Sequence, residues 1–187
     1  MSPIPAFEIG IWNAWILAIV ILLCAILPDL IFKDFTKKMG HDDEAKKISI
    51  FTRILFFILL ICTIFLPLKL GTVWFYTGLP IYILGFIIGI IAIANVASTP
   101  LGKTFTKGVY RYSRNPMYLC MIIVFVGIGI ASASWFYLLL SAIFIVMAHF
   151  MVVAEERLTL DKLGDAYREY MNRAPRWIGV PKSGESD

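Results

Sequence analysis

The chain has 187 residues, 59% of them hydrophobic, a mean hydropathy of +0.80 and a formal net charge of +4. A soluble domain of this size is usually about 45–50% apolar, so the excess excludes an ordinary soluble fold. Sixteen of the 17 Lys and Arg residues are dispersed over three segments, 33–53, 103–114 and 157–182, a pattern of membrane topology rather than a nucleic-acid footprint.

Five apolar blocks follow in chain order: Ile11–Phe32, Ile48–Leu68, Val73–Ala97, Met117–Ala133 and Ser134–Ala154. Crossing a bilayer takes about 20 apolar residues, so the pattern predicts an all-α, polytopic integral membrane protein with five transmembrane helices. It reads as one domain, 1–187, with a three-helix scaffold at 1–98. Residues 99–187 then supply a loop, a helical hairpin and a cytoplasmic amphipathic tail helix. The first block lacks a basic flank and a small-residue cleavage site, unlike a signal peptide. With five spans, all three basic segments share one side. The positive-inside rule makes that side cytoplasmic, with the N-terminus outside and the C-terminus inside.

Along the first block, Pro28 permits a kink and Asp29 reaches the interface; the following loop, Lys33–Lys47, holds a solvated His41. Gly85 and Gly89 form a GxxxG step that suits close helix packing. Asn95 and Ser98 need polar partners, and Thr99-Pro100-Leu101-Gly102 breaks the helix before a basic loop, Leu101–Asn115. Ala131-Ser132-Ala133-Ser134 is short enough only for a tight helical hairpin, which brings Met117 and Glu156 to one membrane face. From Glu156 the chain continues as an amphipathic helix on Leu160, Leu163, Tyr167, Tyr170 and Met171, ended by Pro175. Arg173, Arg176 and Trp177 fall beside the membrane. Cys24, Cys62 and Cys120 lie in apolar blocks without CxxC or His partners, so neither a metal site nor a disulfide framework is expected.

Between Ala45 and Ala154 the chain has no Asp or Glu. The polar knot Tyr110-Arg111-Tyr112-Ser113-Arg114-Asn115-Pro116-Met117-Tyr118 precedes the hairpin, and Glu155-Glu156 follows it. Asn115 suits an N-cap and Pro116 a first helical position. A helix start also suits an anion. Arg111 and Arg114 serve topology or add charge to such a site, and the tyrosines form an interfacial belt or aromatic walls. Two adjacent acids gain nothing from lipid. They either pair with Arg111, Arg114 or Arg157, or hold a cationic ligand.

Read together, 110–118, Glu155-Glu156, the run from Leu163 to Tyr170 and Arg173-Ala174-Pro175-Arg176 resemble the isoprenylcysteine carboxyl methyltransferase family, which has relatives among phospholipid methyltransferases. The family pattern is Arg-His-Pro-x-Tyr-x-Gly followed by Glu-Glu. The resemblance covers about the last 90 residues; here Asn115 stands for the histidine and Cys120 for the glycine. It implies S-adenosylmethionine as cofactor, with S-adenosylhomocysteine as product. Glu155 or Glu156 would take its amino end, and Arg111, Arg114 or the helix start at Asn115, Pro116 and Met117 its carboxylate. Tyr110, Met117 and Tyr118 would wall its adenine, and Lys103 would lie in a lid loop. Glu156 and Arg173 form the expected catalytic pair, Arg173 orienting the carboxylate of a lipidated or isoprenoid-type acceptor that leaves as a methyl ester. Partners are then this lipid or lipidated small-molecule or peptide substrate and membrane lipids, with no nucleic acid and no obligate protein partner. Three alternatives stay open. A phospholipid amine N-methyltransferase needs a base, and His41 and His149 are poorly placed to be one. A sterol-reductase-like enzyme needs more spans, and a non-catalytic scaffold would keep only the fold.

Overall fold

The computed structural model describes residues 9–19, 21–22, 43–100 and 105–181, with the backbone alone for 43–49. Expectations for Cys24, Pro28, Asp29, His41, the Leu101-Gly102 break and Lys103 lie outside the described residues. The elements are α1 (Asp43–Ile64), α2 (Val73–Ser98), a 3-10 turn (Gly108–Arg111), α3 (Pro116–Ala131), α4 (Trp135–Leu163) and α5 (Asp165–Arg173). A further helical stretch covers 15–19 and 21–22. Among the described residues the only β-type pairing is an isolated bridge between Asn13 and Pro67.

By length and composition α2 and α4 are long enough to cross a membrane, while Pro116–Ala131 and Ile50–Ile64 are apolar but shorter. The apolar stretch of α4, 135–154, stops at Glu155, and its last two turns are polar. The α2–α3 contact fixes the geometry of everything after it. Its seam on α2 is Gly78, Tyr82, Gly85, Gly89, Ala92 and Val96, all buried and spaced three or four apart. A Cβ on Gly78 would lie 2.3 Å from the Ala131 nitrogen, and one on Gly127 would lie 2.6 Å from the Tyr82 nitrogen. The backbones therefore meet where no other residue fits, which is how helices gain contact in an apolar medium. Further along, Gly89 faces Cys120: a Cβ on Gly89 would lie 3.2 Å from the sulfur, whose thiol donates to the Met117 carbonyl at 3.0 Å.

The turn 132–134 is the tight hairpin that the sequence predicts. The Ser134 hydroxyl accepts from the Tyr137 nitrogen at 3.2 Å as the N-cap of α4. Phe125, Ile128, Tyr137, Phe144 and Leu59 fill the core between α3, α4 and α1, with Phe125 edge-on to Phe144 at 5.1 Å. The first described residues close one end of this core. The Ala14 nitrogen donates to the Leu66 carbonyl and the Leu68 nitrogen to the Trp12 carbonyl.

One expectation changes. The sequence predicts a continuous amphipathic helix from Glu156 to Pro175, but the chain breaks at Gly164, whose φ is 55 and ψ is −130. That conformation ends α4 and is open to glycine at little cost. The redirected α5 buries Tyr167 and Tyr170 against Leu160, Leu163 and Met171. The Tyr170 hydroxyl then donates to the Tyr110 carbonyl at 2.7 Å and ties α5 to the 3-10 turn.

Candidate functional site

The hairpin sets the start of α3 beside residues 155–156 of α4. Asn115 stands at the cap position of α3, yet its side chain makes no capping bond. The reason is competition: its amide donates to Glu156 Oε1 at 2.9 Å and to the Arg176 carbonyl at 3.2 Å. Pro116 follows at the first turn, buried, where its missing N–H costs nothing.

Glu156 is almost fully buried and accepts four donors. Arg114 Nε reaches Oε1 at 3.0 Å, Arg114 Nη2 reaches Oε2 at 3.2 Å, and Arg176 Nε reaches Oε2 at 2.9 Å, beside the Asn115 bond. Burial alone would raise this carboxyl, but the donors from Arg114, Asn115 and Arg176 outweigh it and hold it below the ordinary carboxylate range. Of the expected ion-pair partners of the acidic pair, Arg114 is present. Arg176 joins it, a pairing the sequence did not disclose.

Arg114 does more than neutralise charge. Its Nη1 donates to the carbonyls of Met171 at 2.8 Å and Ala174 at 2.9 Å, which satisfies the end of α5. Its backbone nitrogen donates to the Pro175 carbonyl at 2.9 Å, and the Gly179 nitrogen donates to the Tyr112 carbonyl at 3.1 Å. Residues 175–181 thus run as a strap across the 112–115 loop. Beyond Arg176 the Trp177 ring stacks on His149 of α4, centroids 6.2 Å apart and planes at 26°.

Glu155 is built differently. Its Oε1 accepts the Tyr118 hydroxyl at 2.8 Å, and no other side-chain partner reaches its carboxylate among the described residues. Burial pushes its carboxyl up to about 7, against the Tyr118 hydrogen bond, which lowers it. Tyr110 is buried against Ala92, Val96 and Phe105, with Met117 partly buried at the same cluster. Arg111 is exposed. Arg173 is half-exposed and paired with Glu169 one turn earlier, away from the acidic pair. Asn95 presents a buried amide nitrogen with no acceptor among the described residues, packed against Gly108.

Glu155, Glu156, Arg114, Asn115, Pro116, Met117 and Tyr118 therefore gather at one end of the bundle, as the hairpin argument predicts. Arg111 and Arg173 stand at its margin. The donor set suits S-adenosylmethionine. A largely buried carboxylate with spare acceptor capacity can meet an ammonium, a helix start and Arg111 can meet a carboxylate, and Tyr118 and Met117 offer an apolar wall. Sequence reasoning missed Arg176 as a ligand of Glu156 and the stacking of Trp177 on His149. The available signal was Pro175, which ends α5 and lets the next residues turn back over the site.

Comparison with known proteins finds a family match over the middle of the chain. The sequence profile described as phospholipid methyltransferase matches residues 73–166, which run from the start of α2 past Glu155-Glu156. No curated protein matches the chain.

Proposed function

The chain belongs to the phospholipid methyltransferase family, in the clan of isoprenylcysteine carboxyl methyltransferase-like membrane methyltransferases, and from that premise we propose that it methylates an amine carried by a lipid, with S-adenosylmethionine as donor. The observation that carries this reading is the difference between the two acids. Glu156 is consumed by Arg114, Asn115 and Arg176, whereas Glu155 meets only Tyr118 among the described residues.

A lipid ammonium must lose a proton before its nitrogen can act as a nucleophile. Glu155 is suited to take it, because its raised affinity for protons lies near neutral pH. Tyr118 orients the carboxylate through its hydroxyl. Arg111 and the start of α3 are suited to a ligand carboxylate. S-adenosylmethionine, when bound, supplies an electrophilic methyl group on a sulfonium. The amine reading needs a base, and Glu155 is the group proposed for that role.

A second reading, methyl-ester formation on a carboxylate of an isoprenoid-type or lipidated acceptor, is favoured by Arg111, exposed and without an ion pair among the described residues. Glu155 would then hold the cofactor's ammonium. Arg173, the residue expected to orient that acceptor, would first have to leave Glu169.

The test uses the purified protein in lipid nanodiscs with methyl-labelled S-adenosylmethionine and lipid extract. Base-stable label in amine lipids supports the first reading. Label released by base as volatile methanol overturns it in favour of the ester. S-adenosylhomocysteine at about 100 times its Kd should stabilise the protein by about 2.7 kcal/mol. No stabilisation and no transfer would sink both readings.

A further inference from the structure

The strap 175–181 carries an apolar surface that methyl transfer does not use. Ile178 is 74% exposed and Val180 is 85% exposed. Loose ends often expose such residues, but this segment is tied down. The Pro175 carbonyl accepts from Arg114, the Arg176 side chain binds Glu156, the Gly179 nitrogen donates to Tyr112, and Trp177 stacks on His149. Backbone held this firmly, with large aliphatic side chains turned outward, is a surface made for contact.

We propose that this strap docks on bilayer lipid, with Trp177, Ile178 and Val180 seated at the boundary between headgroups and acyl chains. Position argues for lipid rather than a protein partner. His149 lies six residues before Glu155, about 9 Å along the helix at 1.5 Å per residue, and so inside the apolar stretch of α4. His149 is exposed, so the indole stacked beside it lies along the outward face of that apolar stretch. Val146 and Phe150, both exposed, are helix neighbours of His149, and the exposed Tyr112 accepts from the strap at Gly179. Trp and Tyr favour this depth because one end of each ring system is apolar and the other wet. Arg111, exposed and next to Tyr112 in the chain, adds positive charge that suits anionic headgroups.

Because Arg176 and Pro175 belong to both the strap and the Glu156 cluster, lipid contact here also steadies the end of α3. This inference does not depend on which acceptor is methylated.

The test places the photo-crosslinker p-benzoylphenylalanine singly at Ile178, at Val180 and at Asp165, whose side chain is 99% exposed, in the full chain reconstituted into phosphatidylcholine–phosphatidylglycerol vesicles. Lipid adducts at 178 and 180 should exceed those at 165 by about tenfold, as for side chains held in an interface. Yields at 178 and 180 equal to that at 165 overturn the proposal, as do adducts to a second copy in place of lipid. Ile178→Asp with Val180→Asp gives an independent readout. The folded variant, verified by its melting temperature in detergent, should show a smaller lipid-dependent rise in melting temperature than the parent gains on reconstitution. An undiminished rise overturns the proposal.

Discussion

Arg114 and Glu156 stand 42 residues apart in the chain and 3.0 Å apart in the fold, with side chains only 8% and 4% exposed. Their pairing is two-pronged, and the same guanidinium reaches on to the end of α5. One buried ion pair thus joins three things: the start of α3, the charged end of α4 and the strap. It commits one acid to architecture, while its neighbour, Glu155, meets only the Tyr118 hydroxyl among the described residues.

Removing one partner of a buried pair leaves the other uncompensated. Glu156→Ala should therefore destabilise the protein by about 3–5 kcal/mol, and Arg114→Ala by a similar amount. Unfolding in detergent, followed by a thermal or denaturant transition, measures it. A loss for both variants no larger than that of a surface substitution would show that the cluster is not structural.

Arg176 offers a graded comparison, since its side chain is 37% exposed. Solvent screens its pair with Glu156, so Arg176→Ala should cost only about 1 kcal/mol. The sign with pH follows from Glu156. Its carboxyl is lowered in the fold, so its contribution is present above the unfolded carboxylate pKa and fades as pH falls below it. The parent should lose stability on acidification, and Glu156→Gln should lose less. Equal acid sensitivity in the two would contradict the assignment.

Glu155 has the opposite sign. Its carboxyl is raised to about 7, so the folded state binds its proton more tightly than the unfolded chain does. This residue favours folding at acid pH, and that contribution shrinks as pH rises through about 7. Activity follows the ionised form, so kcat/KM should climb with pH through about 7 and then level. Glu155→Gln should abolish the limb and lower kcat by about 10²–10⁴-fold if the group takes the acceptor's proton. Tyr118→Phe removes the bond that favours ionisation and should move the limb to higher pH. An unchanged limb in Glu155→Gln would remove this residue from the chemistry.

Much of this arrangement is legible in the sequence. Spacing located Ser134 as the turn and Gly85 and Gly89 as packing positions, because helix contacts repeat every three or four residues. The hairpin length alone brought Glu156 to the Tyr110–Tyr118 knot. What stayed hidden depends on three-dimensional competition. Asn115 has the residue type of an N-cap, but a buried carboxylate is a stronger acceptor of its amide than a helix terminus is a donor to it. Gly164 interrupts an amphipathic stripe whose periodicity carries straight through. Glu155 and Glu156 are the same residue type side by side, and the 100° between neighbours on a helix sends one into a nest of guanidinium groups and the other to a single hydroxyl.

That competition makes Asn115→His an informative change, because it restores the residue of the motif that the chain resembles. The amide of Asn115 donates two hydrogens from one nitrogen, to Glu156 Oε1 and to the Arg176 carbonyl. A neutral imidazole has a single N–H, and its second nitrogen only accepts. Histidine at 115 can hold the carboxylate or the strap carbonyl, but not both. Glu156 keeps both arginines, so the fold should survive with a loss of about 1 kcal/mol, one hydrogen bond's worth. The strap bears the change: exchange of the Gly179 amide, which donates to Tyr112, should quicken while exchange in α3 stays constant. Equal protection of Gly179 in both proteins would mean that Arg176 and Trp177 hold the strap without help from Asn115.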